Sequence, residues 1–563
     1  MTEQALNVEV DEPGGPGEPQ DRRISRRWFL NRFAWVSSAA AAGTLLNPLP
    51  ALAETRTSPA GSALASGAFA TSIRPEALDD LTELTLAEAL TLLRKRTITP
   101  ADLVNAYVDR IEAFDGIYQA YADRPTREAL VAQAAMIPAD GPGAALGGIG
   151  LAPKDNYYTA DLLTEAGSLV YEGFQPDYDG TAIGLLRAAG GLVLGKAQMG
   201  NLAGGRATVY GTTTPTTRNA WTPDDVRYSP SGSSSGTATA VAARMATAGI
   251  GTQTGGSVTS PGMSQGLTCV KPTFGRISLH GVVPLTYTRD HVGPMCRTAL
   301  DAAIMLQVLA KPDPNDPRTL GLPAPPDYTR AATVIGGNRP RLRWPTRIGV
   351  WPGYTSTNNA EVNAMRTAMI GELEGFGATI VPDVTLPDNW AALTSGALGG
   401  STADPTGPFL EFLRRDVRDF ADRLPRFLNG MLQSGDTTLK VQQARYLLLQ
   451  RIMSQLFSQC DLVLTTSSGP FDGTGLPLAC FPIGFQADTT TGYDVPRGAL
   501  LAGPPFSEER LLAVAAAYQA VTGFHLVRPP DPTGTTVSAL QRTTLSAGAD
   551  EILPFDVNPD EME

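Results

Sequence analysis

Residues 227–262 read RYSPSGSSSGTATAVAARMATAGIGTQTGGSVTSPG. Two clusters of Gly, Ser and Thr, at 232–236 and 251–257, flank an Ala-rich run at 237–248. That run reads as a buried helix, and its small side chains let the helix and both loops approach closely. Glycine-rich loops can turn successive backbone N–H groups toward one point, the arrangement a developing oxyanion requires. The serine hydroxyls beside them supply nucleophiles. A flexible Gly/Ser linker has similar composition but lacks an embedded apolar helix.

Outward from this stretch, helical and strand patterns alternate. Residues 86–94 and 101–114 have helical periodicity, with Thr85 and Thr99 as N-caps. Residues 182–189 read as a helix and GLVLG at 191–195 as a buried strand. Strand-like segments at 347–351 and 378–381 enclose a helix at 359–376, which is a βαβ pattern. Strands at 461–465 and 498–501 and a helix at 507–522 close the body. Between the βαβ unit and these closing elements, residues 384–445 are less regular and read as a cap-like insertion, with a helix expected at 409–420 and a second, at 439–457, beginning near their end.

The chain has 563 residues, 42% hydrophobic and 18% charged, ordinary values for a folded soluble protein. A net charge of −12 argues against a nucleic-acid surface, which needs clustered Lys and Arg. Cys269, Cys296, Cys460 and Cys480 form no CxxC pair and the only histidines are His280, His291 and His525, so no metal site is expected. Buried free thiols are the favoured reading of the cysteines, with one or two disulfides left open if the chain is exported.

Residues 1–20 are acidic and rich in Gly and Pro, and SRRWFL at 25–30 precedes a weakly apolar run at 33–46. The arginine pair, that run and the small-residue site Ala51-Leu52-Ala53 resemble a twin-arginine export signal occupying residues 1–53. The run is too short and Ala-rich to span a membrane comfortably, so no stable anchor is expected after cleavage. A periplasmic or extracellular destination follows from that reading. Residues 54–78 read as a linker, 79–527 as the folded domain and 528–563 as an acidic tail.

In LGGIGLAPKDN at 146–156, Lys154 directly follows an apolar strand. Most lysines are solvated, but one at the end of a buried strand is desolvated, and its neutral amine becomes a usable base. With this lysine and the Gly/Ser stretch together, the chain resembles the amidase signature family of serine hydrolases. The resemblance is carried in order by LGGIGLAPKDN, GKAQM (195–199), SPSGSSSGTATAVAA (229–243), GTQTGGS (251–257), VKPTFGRIS (270–278), RDHVGPMCRT (289–298) and ALLAGPPFSEERLL (499–512). It covers residues 80–310 and 455–526.

This resemblance implies an α/β fold with a mixed central sheet flanked by helices. It also implies a Ser-Ser-Lys triad in which Ser257 is the nucleophile, Ser233 relays the proton after a cis peptide bond from Gly232, and Lys154 is the terminal base. The N–H groups of Thr254, Gly255, Gly256 and Ser257 would form the oxyanion hole, with Ser234, Asp290 and Arg297 in support. No cofactor is implied. The implied activity is hydrolysis of a small-molecule carboxylic amide to carboxylate and amine or ammonia, with esters and carbamates chemically reachable. A homodimer stays open. The chain departs from the family pattern at Gln253, where aspartate is common, and at Thr259, where arginine often stands.

Three readings compete. GSSSG at 232–236 formally matches a GxSxG nucleophile elbow, with Ser234, Asp461 and His525 as the triad of an α/β-hydrolase-type esterase. The polar, turn-like residues 224–231 do not supply the buried strand such an elbow follows. GGLVLGK at 190–196 resembles a phosphate loop, but Ala197 replaces the magnesium-binding Ser or Thr. A non-catalytic binding protein on the same fold would be expected to have lost triad residues, whereas Lys154, Ser233 and Ser257 are all present.

Overall fold

The computed structural model describes residues 72–138, 144–209, 215–337, 339–398 and 403–533. The expected export signal, residues 54–71 of the expected linker and residues 534–563 of the acidic tail lie outside the described residues.

Among the described residues, short β-branched and aliphatic runs form twelve strands. In chain order they are β1 (Tyr121–Asp123), β2 (Gly150–Pro153), β3 (Leu192–Val193), β4 (Lys196–Ala197), β5 (Ala248–Gln253) and β6 (Thr268–Lys271). There follow β7 (His291–Cys296), β8 (Arg347–Val350), β9 (Thr379–Val381), β10 (Leu462–Thr465), β11 (Leu478–Ala487) and β12 (Asp494–Ala502). Ten of them make one sheet in the order β3-β2-β5-β7-β6-β11-β12-β10-β8-β9, while β1 and β4 pair separately. Both flanks are parallel, β3-β2-β5 on one side and β10-β8-β9 on the other. The centre is antiparallel. The fold is therefore α/β with a mixed central sheet and flanking helices, as the resemblance implies.

Burial on both faces explains the composition of the inner strands: β2, β5, β6 and β7 are buried at every position. The helix Ala299–Leu309, almost wholly apolar, is buried along nearly its whole length. The βαβ expectation at 347–381 is met by β8, the helix Ala360–Gly375 and β9 in parallel pairing. Thr85 and Thr99 cap the helices Leu86–Arg94 and Pro100–Tyr118, each in a reciprocal capping box.

The Ala-rich run differs from its expected form. It is helical only over Ser235–Ala242, and Ala248 already opens β5. Arg244, at φ 63°, turns the chain between the two. Continuous small apolar sequence carries no period that separates buried helix from buried strand. The same smallness does the packing: a Cβ at Gly251 would stand 2.5 Å from Ser234 Oγ, and one at Gly249 2.5 Å from Thr237 Cγ2.

The packed body also begins earlier than residue 79. Ala77 is buried, and Arg74 Nη2 lies 2.9 Å from the Glu88 carboxylate. At the other end, Arg528 pairs with Asp80 at 2.8 Å and Thr533 N donates to Asp224 at 3.0 Å, so the first residues of the expected tail lie on the body. Within 384–445 the expected helix at 409–420 is broken into Leu410–Arg415 and a 3₁₀ segment, Val417–Arg423, because Asp416 is extended and caps the second piece. Phe409, Phe420 and Phe427 pack edge to face there, with ring centroids 5.0–6.2 Å apart. Phe412 against Tyr171, at 5.2 Å, fastens this region to the body.

All four cysteines are buried and unbridged. Among the described residues no helix is long and apolar enough to cross a membrane, and no cluster of His, Cys, Asp and Glu could hold a metal.

Candidate active site

Parallel pairing of β2 with β5 brings the carboxyl ends of both strands to one edge, with Pro153 opposite Ile250. Lys154 leaves β2 there, its N–H bonded to the Ile250 carbonyl at 3.0 Å. Its side-chain nitrogen reaches Ser233 Oγ at 2.7 Å and Thr252 Oγ1 at 2.7 Å. Ser233 follows a cis Gly232–Ser233 peptide and stands just before the buried helix Ser235–Ala242. Its carbonyl accepts the Gly200 N–H at 3.2 Å.

Lys154 is completely buried. Burial pushes its pKa down to about 7, against a weaker opposing pull from the Asp290 carboxylate. Near neutrality this amine is thus divided between its charged and neutral forms. Asn156 Nδ2 donates to Thr252 Oγ1 at 3.0 Å, and Tyr157 OH to the Gly251 carbonyl at 2.7 Å, fixing β5 beside the lysine. A second buried lysine, Lys196, pairs with Asp155 at 3.4 Å and donates to Thr164 Oγ1 at 2.7 Å. It braces the turn after β2 from behind.

The loop after β5 carries Thr254, Gly255, Gly256 and Ser257. Ser257 is partly exposed and precedes the short helix Thr259–Ser264. Thr254 Oγ1 donates to Asp290 at 2.5 Å, and Asp290 also accepts N–H bonds from Leu285 and Thr286. Asp290 therefore anchors the loop and biases Lys154 electrostatically. Gly256 holds φ +83°, and a Cβ there would meet Ser260 Oγ at 2.8 Å, so glycine is required.

Two expected roles need correction. The Gly256 N–H is bonded to Asp472 Oδ2 at 2.9 Å, so in this arrangement it is occupied and cannot serve an oxyanion. Arg297 lies away from the cluster: it donates to the Glu83 and Leu84 carbonyls and anchors the amino-terminal segment. Ser234 stays close, its Oγ 3.5 Å from the Thr252 carbonyl. The elbow triad is not assembled. His525 is buried among Arg74, Arg297, Arg244 and Glu88, and Asp461 pairs with Arg347 at 3.0 Å. His291 bonds the Gln253 carbonyl through Nδ1 at 3.3 Å and packs on Phe274.

Asp472 and Lys271 carry no signal in the sequence that marks them as site residues, and Gln253 is marked there only as a departure from the family pattern. The Gln253 amide nitrogen donates to Asp472 Oδ1 at 2.7 Å, and Lys271 Nζ lies 3.5 Å from the same oxygen. Gln253 Oε1 accepts the N–H groups of Val258 and Thr259 at 2.9 Å and the Thr259 hydroxyl at 3.2 Å. Gln253 thus ties the residues after Ser257 to a buried ion pair, whose Asp472 directly holds Gly256, the residue before it. Asp472 comes from the helix Gly469–Gly473, remote in sequence, and no motif around it marks the contact.

A mixed ten-stranded sheet with a glycine-rich serine loop and a buried lysine at the ends of adjacent strands defines an amide hydrolase. The family model described as Amidase matches residues 102–402. A Mycobacterium tuberculosis protein bearing the name amidase AmiD is 32% identical over 487 residues, 80% of this chain and 97% of that protein. A glutamyl-tRNA(Gln) amidotransferase subunit from Moorella thermoacetica is 31% identical over 504 residues, 80% and 99% of the two chains. The X-ray structure of native peptide amidase from Stenotrophomonas maltophilia superposes with a TM-score of 0.67 at 27% identity, covering 80% of this chain and 99% of that one. The chain belongs to the amidase signature family and is a hydrolase of amide carbon–nitrogen bonds.

Proposed function

We propose that this protein is an exported amidase that converts a carboxylic amide to carboxylate and amine or ammonia through an acyl-enzyme on Ser257. The observation that carries the reading is the 2.7 Å contact between Lys154 Nζ and Ser233 Oγ, with the lysine buried and its pKa brought down to about 7. Neutral Lys154 takes the Ser233 proton, Ser233 takes the Ser257 proton, and Ser257 Oγ attacks the carbonyl carbon. The N–H groups of Thr254, Gly255 and Ser257 are the donors assigned to the oxyanion. As the C–N bond breaks, the proton returns along the relay to the departing nitrogen. Water then adds to the acyl carbon, loses its proton to the same relay and releases the carboxylate.

Export rests on the arginine pair and following apolar run near the amino terminus. It also separates this chain from a tRNA-dependent role such as the name of the Moorella thermoacetica relative describes, since tRNA and its partner proteins stay behind. A fluorophosphonate probe on the purified protein tests the nucleophile: labelling is expected at Ser257 and is abolished by Ser257→Ala. Labelling at Ser234 that persists in that variant, or lost with His525→Ala, would overturn the reading.

A further inference from the structure

The cap-like region contains a helix that is apolar on two opposite sides. The helix Gly435–Arg451, continued by the π-helical turn Ile452–Leu456, turns Val441, Arg445, Leu448 and Ile452 inward, all buried and at the spacing of one helix face. A surface helix with such an inner seam ordinarily presents polar residues to water. This one presents Leu439, Tyr446 and Met453, which are 64%, 71% and 37% exposed, with Leu447 beside them. Leu432, just ahead of the N-cap Ser434 and 84% exposed, extends the series, so that four large apolar residues recur at intervals of seven. Seven residues make nearly two full turns, which sets the three within the helix along one line. None of the described residues covers this stripe.

Its charge and extent point to what would cover it. The polar residues along the stripe are Lys440, Gln443 and Gln450, and Lys440 is already paired with Asp436 at 2.6 Å. Arg451, on the flank, lies 3.8 Å from Asp388. A helix that lies on a lipid surface carries a basic rim, whereas here the one lysine is neutralised and the chain as a whole has a net charge of −12. The exposed apolar side chains amount to on the order of 500 Å², near the upper end of what a monomer ordinarily leaves in water. Two such faces in contact would bury about 1,000 Å², the size at which a specific protein pair becomes stable. The spacing also has a centre: Leu439 stands seven residues before Tyr446 and Met453 seven after it. An antiparallel copy of the same helix therefore meets it in register, as a two-fold contact requires.

We propose that this stripe joins two copies of the chain, paired antiparallel along the helix Gly435–Arg451 about a two-fold axis at Tyr446. The two Tyr446 rings meet at the axis, and Leu439 of each copy packs on Met453 of the other. Gln443 and Gln450 fall nearly opposite one another across the contact, where their amides serve each other as donor and acceptor. No unpaired like charges are brought together, because Lys440 and Arg451 each keep the acid they already have.

Sedimentation velocity of the full chain over a concentration series tests the pairing. The wild-type protein is expected to be a dimer. Tyr446→Glu sets two carboxylates against each other at the axis and should raise the dimer Kd by about 10²-fold or more, and Leu439→Gln by about 10-fold. Both positions are exposed, so the circular dichroism of each variant should match that of the wild type. Cysteine cross-linking with oxidised glutathione tests the register, and the four native thiols are buried and do not compete. Tyr446→Cys is expected to give a covalent dimer by itself. Leu439→Cys should give one only when mixed with Met453→Cys, because a disulfide needs Cα atoms within about 7 Å. A monomeric wild type, or a dimer that neither variant weakens, would overturn the proposal. Self-cross-linking of Leu439→Cys as readily as Tyr446→Cys would overturn the antiparallel arrangement. A monomer that binds phosphatidylcholine vesicles and loses that binding in Tyr446→Glu would assign the stripe to a lipid surface instead.

Discussion

Lys154 Nζ and Ser233 Oγ, 79 positions apart in the chain, meet at 2.7 Å with both residues completely buried. Burial disfavours the ammonium form and lowers the lysine pKa to about 7, while Asp290 pulls the other way. A base works only when unprotonated, so the neutral fraction, small well below that pKa, dominates well above it. The kcat/KM for an uncharged amide is therefore expected to rise with pH through about 7 and then level. A pH–rate profile flat between acid and neutral pH would remove Lys154 from the role of base.

Replacing that amine separates its chemical role from its structural one. Lys154→Met keeps the length and removes the base, and is expected to cost about 10²–10⁴ in kcat/KM. Because it also removes a desolvated amine, its Tm should equal or exceed that of the wild type. Lys154→Arg should be equally inactive, since a guanidinium stays protonated and cannot accept the Ser233 proton. Recovery of activity in Lys154→Arg would show that only positive charge is needed.

Asp472 and Lys271 make an ion pair buried on both sides, at 3.5 Å. Burial lowers the Lys271 pKa to about 8, with Asp472 opposing the shift. Asp472→Ala leaves this lysine unpaired and also frees the Gly256 N–H and the Gln253 amide. Urea unfolding is expected to show a loss of about 3–5 kcal/mol. Asp472→Asn keeps an acceptor, so it should lose less stability while still lowering kcat through the loop. Equal stability of the alanine variant and the wild type would contradict the pairing.

Much of this arrangement is legible in the residues themselves. Helix caps at Thr85 and Thr99, the βαβ unit and the Gly/Ser loop follow from local residue chemistry. Lys154 stands out because a lysine after an apolar strand is unusual. The boundary between helix and β5 is hidden, because alanine, glycine and threonine serve buried helix and buried strand alike. Asp472 is hidden for another reason: its neighbours come from distant segments, and an aspartate in a short helix reads as surface charge until burial is known. The amide of Gly256 illustrates the same limit, since its partner is fixed by tertiary packing alone.

Gln253 and Thr259 depart from the family's common aspartate and arginine, and the structure makes them one unit through the 3.2 Å contact of the Thr259 hydroxyl with Gln253 Oε1. The other end of Gln253 donates to Asp472 at 2.7 Å, a bond that an ionised carboxylate could not make there, because it is an acceptor alone. Gln253→Asp would set two buried carboxylates against each other, and like charges so placed cannot both ionise. It is expected to lose about 1–3 kcal/mol and to lower kcat as the Gly256 loop shifts. Thr259→Arg alone should also destabilise, since it crowds a guanidinium into a fully buried threonine site. In the double variant Q253D/T259R the new guanidinium would lie between the two carboxylates. A double-mutant cycle by urea unfolding and kcat should therefore show favourable coupling of about 1 kcal/mol or more. Simple additivity of the two losses would mean that the positions are independent, and that the neutral pair is not what replaces the common charged one.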